Sequence, residues 1–485
     1  MGIKQKAYNV LANRKPQIKQ KFENYLGSEK GQKSGTAGKF SRLLKLNFSY
    51  YVMGDRSTCG AYIPDVIPVN ESRIPSQTPE EFAKELMEYD LVTFDVFDTL
   101  IYRYVARPTD VFYFSQDVAD RVNFRKQRTE AESMARIEKK RLSGSTEVTL
   151  EEIAEMLEKT SGIDKEVLVQ SEFETEKKFC FASPYMKRVW DILLENGKRP
   201  MILSDMYLGE ERIRKLLNSC GYNVTDTEII VSCDIQKSKY DGKVYKLLKK
   251  LKKDCTTFAH VGDNEYSDIG NAQKAQITAF RCENPDSRGN VYRTKDMSPL
   301  VQSVWAGLVN KKMYGEVVQY DKHFCSGYNY LGLLLFGFLS YVERLSADSR
   351  SKVVFCGEKS EILKNIYDRF FSGCGNSEEE NCEKALLKVS LRETEDADTL
   401  SLFGKTSTHK NYIEADNIDE ISEFVLEMLC GNDGVLQGIE AFISDYDIMC
   451  RKFDVLKELQ PSDAYAPFKS AFENEKYVKE LKSTD

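Results

Sequence analysis

Short, uniformly apolar runs that each end in a polar residue recur through the middle of the chain. Leu91-Val92-Thr93-Phe94 leads into Asp95, and Met201-Ile202-Leu203 leads into Ser204. Ile229-Ile230-Val231 leads into Ser232, and Phe258-Ala259-His260-Val261-Gly262 leads into Asp263. Ile277 to Phe280 is a fifth such run. Strands covered by helices on both faces are apolar throughout rather than alternating, so the pattern predicts a parallel sheet. Helical spacing fills the intervals at Glu210 to Leu217, Val244 to Leu251 and Asp268 to Ala275. Thr78-Pro79-Glu80-Glu81 reads as an N-cap with proline at the first helical position, opening a short helix through Met87.

The first two strands are separated by far more chain than a crossover needs, and the excess is helical in pattern. Asn123 to Arg141 contains neither Gly nor Pro, and Thr149-Leu150-Glu151-Glu152 is a capping box with Leu150, Ile153 and Leu157 on one helical face. Residues 1–88 predict a basic helical start, a loose tether from Gly27 to Gly38 and an approach containing Pro64, Pro68, Pro75 and Pro79. Residues 286–485 carry no motif. Val353-Val354-Phe355, the Cys356-Gly357 turn and a helix from Ser360 to Phe371 suggest a second, mixed α/β unit of unknown role.

Composition narrows the class. A chain of 485 residues with 41% hydrophobic and 30% charged residues is long enough for two or three globular domains. The net charge of −7 is unevenly spread: residues 1–50 hold eleven Lys or Arg against Glu23 and Glu29, while Glu378-Glu379-Glu380 and Glu393 to Asp398 are acidic. The basic end suits an anionic surface or a solvated helix and tether. Nucleic acid is not expected. Twelve cysteines without CxxC spacing and three histidines give no zinc pattern and suit free thiols in a reducing compartment. Met1 to Lys6 is basic with no apolar core behind it, and Tyr330 to Leu339 is too short to span a bilayer and reads as a buried helix. The expectation is a cytoplasmic chain with no transmembrane segment.

The candidate chemistry lies at the strand ends, because open α/β sheets bind ligands beyond the carboxyl ends of their strands. Asp95 offers a carboxylate nucleophile, Ser204 a hydroxyl, Lys239 a cation, and Asp263 with Asp268 a second acidic pair. These are the parts needed to attack a phosphoryl group and hold Mg²⁺. The stretches FDVFDTL (94–100), ILSD (202–205), SCDIQKSKYDGKVY (232–245) and HVGDNEYSD (260–268) stand in the order of the four motifs of the haloacid dehalogenase-like hydrolase superfamily, which residues 89–285 resemble. The resemblance implies a doubly wound α/β domain with a helical cap at about 105–190. It also implies Mg²⁺ held by Asp95, the backbone carbonyl of Phe97 and Asp263, with Asp268 orienting Lys239 or binding a metal water. Thr99, Ser204 and Lys239 would contact the phosphoryl group of a small phosphorylated substrate. More faintly, the long carboxyl region resembles modules that accompany bacterial surface-polysaccharide glycosyltransferases, which implies a glycosyltransferase or other polysaccharide-assembly partner.

One position departs from the pattern. Phosphatases of the superfamily carry Asp two residues after the nucleophile as general acid, and here that position is Phe97. Asp98, one residue on, either swings inward to replace it or bonds the turn backbone. An aromatic there resembles the dehalogenating members, which need no acid, yet those generally lack the acidic motif that Gly262-Asp263-Asn264 resembles. The leading expectation is a Mg²⁺-dependent phosphatase. The alternatives are a 2-haloacid dehalogenase and a weakly catalytic interaction module.

Overall fold

The computed structural model describes residues 35–53, 77–115, 121–289, 297–315, 318–349, 360–371 and 432–472, with a few isolated positions besides. Five strands, β1 (Leu91–Phe94), β4 (Met201–Ser204), β5 (Ile229–Val231), β6 (Phe258–Gly262) and β7 (Thr278–Arg281), form one sheet in the order β5-β4-β1-β6-β7. Every neighbouring pair is parallel. Two short strands, β2 (Ile101–Arg103) and β3 (Cys180–Ala182), pair antiparallel outside it.

Side chains leave the sheet alternately to two cores. Val92, Phe94, Ile202, Ala259 and Val261 pack under α2 (Pro79–Met87), α6 (Pro184–Glu195) and α7 (Gly209–Ser219), where Trp190 is fully buried. Leu91, Met201, Leu203 and Phe258 face the other way, against Val244, Tyr245 and Leu248 of α8 (Lys243–Leu251). The fold is therefore α/β with a doubly wound parallel sheet. The capping box of Thr149 with Glu152 forms and starts α4 (Leu150–Ser161), and the Thr78 N-cap that starts α2 is a capping box as well, closed by Glu81. Each satisfies two backbone N–H groups that a helix otherwise leaves bare.

The segment between β1 and β4 carries α3 (Arg121–Ser143), α4 and α5 (Lys165–Phe179). They share a small core of Phe124, Ala131, Ile153, Leu157 and Leu168. Arg128 pins that core. Its guanidinium binds both oxygens of Glu172 at 2.5 and 2.7 Å, reaches Glu132 at 3.1 Å, and lies over the rings of Phe112 and Tyr207.

The carboxyl region is chiefly helical among the described residues: α9 (Pro299–Tyr314), α10 (Gly332–Ser349), α11 (Asp433–Lys452) and α12 (Pro461–Phe472), with a helix at Ser360–Phe370. Among the described residues its strands are one parallel pair, Phe355–Cys356 with Leu386–Leu387. Leu331, Leu333 and Leu339 are fully buried, as the apolar run there predicts. At the other end, α1 (Thr36–Tyr51) begins inside the stretch that composition reads as a tether. The rest of that tether, Pro64, Pro68, Pro75, Val353-Val354 and both acidic stretches lie outside the described residues.

Candidate active site

The chain runs from β1 outward through β4 to β5, then returns to lay β6 and β7 on the opposite side of β1. The sheet order reverses between β1 and β6, which is where loops diverge and leave a crevice. Asp95 follows β1 and Asp263 follows β6, so the two carboxylates stand on either side of that point. The Asp95 backbone N–H donates to the Val261 carbonyl at 2.9 Å, which ties the two strand ends together. One carboxylate oxygen from each of Asp95, Asp263 and Asp268 lies within 4.8 Å of the others.

Lys239 completes the cluster. Its Nζ donates to Asp95 Oδ1 and sits 2.7 Å from Asp268 Oδ1, with both ends of the contact buried. Burial opposes the ammonium, but Asp95, Asp268 and Asp205 together hold its pKa well above the ordinary lysine value. Asp268 is fully engaged. Lys239 and His260 take Oδ1, the Asn264 N–H donates to Oδ2 at 3.0 Å, and despite its burial the Lys239 charge holds this carboxyl below the usual range.

Asp95 and Asp263 are poised differently. Burial pushes Asp95 up, the charges of Asp268 and Asp263 add to that, and Lys239 opposes it. Burial, with Asp98 and Asp268 nearby, raises Asp263 to about 6. Carboxylates strained in this way are relieved by a cation placed between them. The donor set consists of hard oxygens with no thiol, which fits Mg²⁺, Ca²⁺ or Mn²⁺ rather than zinc.

The remaining predicted residues lie at the end of β4 and on the turn that follows β1. Ser204 ends β4, next to β1, and is 3% exposed. Thr99 is fully buried, and its Oγ1 has no hydrogen-bond partner. Phe97 opens the turn to β2 and lies under the Arg103 guanidinium, 4.0 Å from its ring centroid, while Arg103 is itself bound to Glu176. Asp98 occupies the left-handed region at φ 60, and its N–H donates to the Ile101 carbonyl at 2.8 Å. Its charge is felt at Asp263 and Arg103.

Several positioning residues escape a reading by strand ends. Asp205 accepts the backbone N–H groups of Lys239 and Tyr240 at 2.8 and 2.9 Å, and Asn271 Nδ2 donates to the carbonyls of the same two residues. His260 is wholly buried, and burial lowers its pKa. In the neutral tautomer protonated at Nε2 it accepts from the Thr93 hydroxyl at 2.8 Å and donates to Asp268 at 3.3 Å, satisfying both partners. Asp205 stands inside the ILSD stretch and His260 opens the HVGDNEYSD stretch, so these two were within reach of sequence. Segment 265–270 winds as a π-helical turn ahead of Asn271–Lys274 rather than as one α-helix from Asp268. Gly262 makes room for it, since a Cβ there would meet Asp268 Cγ at 2.5 Å.

No family model matches the chain, and no curated protein does. Solved structures match in part. The L-2-haloacid dehalogenase of Xanthobacter autotrophicus is 16% identical over 40% of this chain and 77% of its own, with a TM-score of 0.29. A HAD family enzyme of Bacteroides thetaiotaomicron is 14% identical over 40% of this chain and 94% of its own, with a TM-score of 0.31. The putative HAD-hydrolase YfnB of Bacillus subtilis, bound to magnesium, is 17% identical over 44% of this chain and 95% of its own, with a TM-score of 0.29.

Proposed function

We propose that this chain is a haloacid dehalogenase-like hydrolase that cleaves a phosphate monoester of a small metabolite through an aspartyl-phosphate on Asp95, with Mg²⁺ as cofactor. The observation that carries the reading is the meeting of Asp95, Asp263 and the Lys239 ammonium at the point where the sheet order reverses. A carboxylate oxygen of Asp95 attacks phosphorus in line, and the bond to the leaving oxygen breaks. Water then attacks the aspartyl-phosphate, releasing inorganic phosphate and regenerating Asp95. Lys239, Ser204 and the unpartnered Thr99 hydroxyl are the donors that offset charge on the phosphoryl oxygens. Mg²⁺ held by Asp95 and Asp263 would shield the same charge, while Asp268 keeps Lys239 in place.

In this reading α3, α4 and α5 are the cap. What supports it is their anchorage at the carboxyl ends of β4 and β5: Ser232 donates to Glu147 at 2.5 Å, the Leu150 N–H to the Tyr207 carbonyl at 2.8 Å, and Arg212 pairs with Glu151 at 2.6 Å. A lid so placed excludes water and selects the substrate.

Phe97 favours a second reading, halide displacement from a 2-haloacid by the same Asp95, because that reaction needs no proton donor to the leaving group. A phosphate-release screen over sugar and nucleotide phosphates, with a parallel halide-release assay, separates the two. Phosphate release that EDTA abolishes and Mg²⁺ restores is expected. Halide release indifferent to EDTA would select the dehalogenase. Asp95→Asn should eliminate activity in either case. A chain inert in both assays would leave the third reading, an interaction module.

A further inference from the structure

Helix α1 is apolar on two sides, and among the described residues one of them is buried in a core. Leu43, Leu46 and Asn47 are buried against Ile18 and Phe22, and the Asn47 amide donates to the carbonyls of Leu11 and Leu43. Phe40, Leu44, Phe48 and Tyr51 recur at helical spacing along a different strip, and the chain continues into Val52 and Met53. All six are exposed, Phe48 by 56% and Met53 by 72%. A strip of this kind on a helix whose other face already has its partner calls for an external apolar phase.

Charge decides which phase. Residues 1–50 carry eleven Lys or Arg and only two acids, in a chain whose net charge is −7. Lys45, exposed, follows Leu44 and stands three residues before Phe48, at the border of the strip. Two copies of so basic a segment would repel one another if they met face to face. A bilayer rich in anionic lipid offers both the apolar layer and the opposite charge. No described helix is long and apolar enough to cross a membrane, so contact would be at the surface. We infer that α1 lays Phe40, Leu44 and Phe48 into the interface of an anionic membrane, holding the chain at its surface. The inference stands apart from the reaction at Asp95.

Flotation of the full chain with vesicles tests it. Phosphatidylcholine vesicles containing phosphatidylglycerol should carry the protein, and pure phosphatidylcholine should carry at least tenfold less. High salt should weaken the binding, and Lys45→Gln should lower partitioning about fivefold. Leu44→Glu and Phe48→Glu alter exposed positions and should abolish binding while leaving the thermal unfolding midpoint unchanged. Equal binding to neutral vesicles, or none to either kind, overturns the inference. So does a dimer in sedimentation that Phe48→Glu dissociates without any vesicle binding, because the strip would then belong to a second copy of the chain.

Discussion

At Phe97 the chemistry of a proton donor has been replaced by a ring held in place from above. Arg103 covers it at 4.0 Å and is fixed in turn by Glu176, both being almost fully buried. Under the proposed hydrolysis, no group at that position can protonate a leaving oxygen, so esters that leave without help should be favoured. An aryl phosphate with an acidic phenol should turn over at least about 10²-fold faster than an alkyl phosphate, the size of effect a general acid commonly supplies. Asp98, the next residue along, is the candidate substitute. Its left-handed backbone is shared by Asn at little cost, so Asp98→Asn is a conservative probe. The expected result is an equal, modest change on both esters. Selective slowing of the alkyl ester would show that Asp98 has taken the acid role.

Among the elements, the loop carrying Lys239 is the one whose placement decides the site. Asp205 receives its two backbone N–H groups from one side, and Asn271 binds its two carbonyls from the other. Asp205→Asn removes the charge and turns one acceptor into a donor. It should lower kcat by about 10- to 100-fold with a smaller effect on KM, and Asp205→Glu should restore part of the loss. A purely structural role would lower the unfolding midpoint and leave kcat per folded molecule intact. Glu172, on α5, tests stability instead. It is the bidentate partner of a fully buried arginine, so Glu172→Gln should destabilise the helical insert by about 3–5 kcal/mol in denaturant titration.

These elements also mark what the sequence makes legible. β1, β4 and β6 are plain because burial on both faces makes them apolar runs, whereas β7 is half-exposed; α2 and α4 are plain because their N-caps are local. Helix α1 is hidden by the Gly, Ser and Lys around its start, and its packed face has meaning only once Ile18 and Phe22 lie beside it. The π-helical turn at 265–270 is hidden for a related reason: its shape follows from where Asp268 must reach, not from its own periodicity. At the site, polar residues that end apolar runs stand out. Asn271 lies outside the motif stretches and acts on Lys239 and Tyr240, distant in sequence, so no local pattern reveals it.

Across the whole molecule, the carboxyl helices are built into the entrance of the insert. Val105, Ala106, Val111 and Phe114, which lead into it, and Phe179, which leads out, are buried in the same core as α9, α10 and α11. Phe453 stacks on Phe179 at 4.3 Å and touches Phe114 at 5.0 Å. The Ala106 N–H donates to the Ser303 carbonyl, and a Cβ on Gly307 would strike the Tyr104 backbone at 2.6 Å, so α9 lies directly on this stalk. Within the carboxyl region, Gly327 and Gly438 bring two helices into backbone contact, where a Cβ on Gly438 would fall 2.2 Å from the Phe324 carbonyl oxygen. A core shared between the two ends of the chain should unfold as one unit. Ending the chain at residue 289 would strip the cover from Phe114 and Phe179 and leave an apolar patch beside the insert. The fragment should therefore aggregate or unfold well below the full chain. Gly438→Ala in the full chain, by forcing α11 away from its neighbour, should lower the single unfolding midpoint seen by both far-ultraviolet circular dichroism and Trp fluorescence. Trp190 lies under the sheet and Trp305 in the carboxyl core, so the fluorescence samples both bodies. Two separate transitions, or a soluble fragment as stable as the whole, would show that the carboxyl helices are an independent domain resting on the α/β domain rather than part of its support.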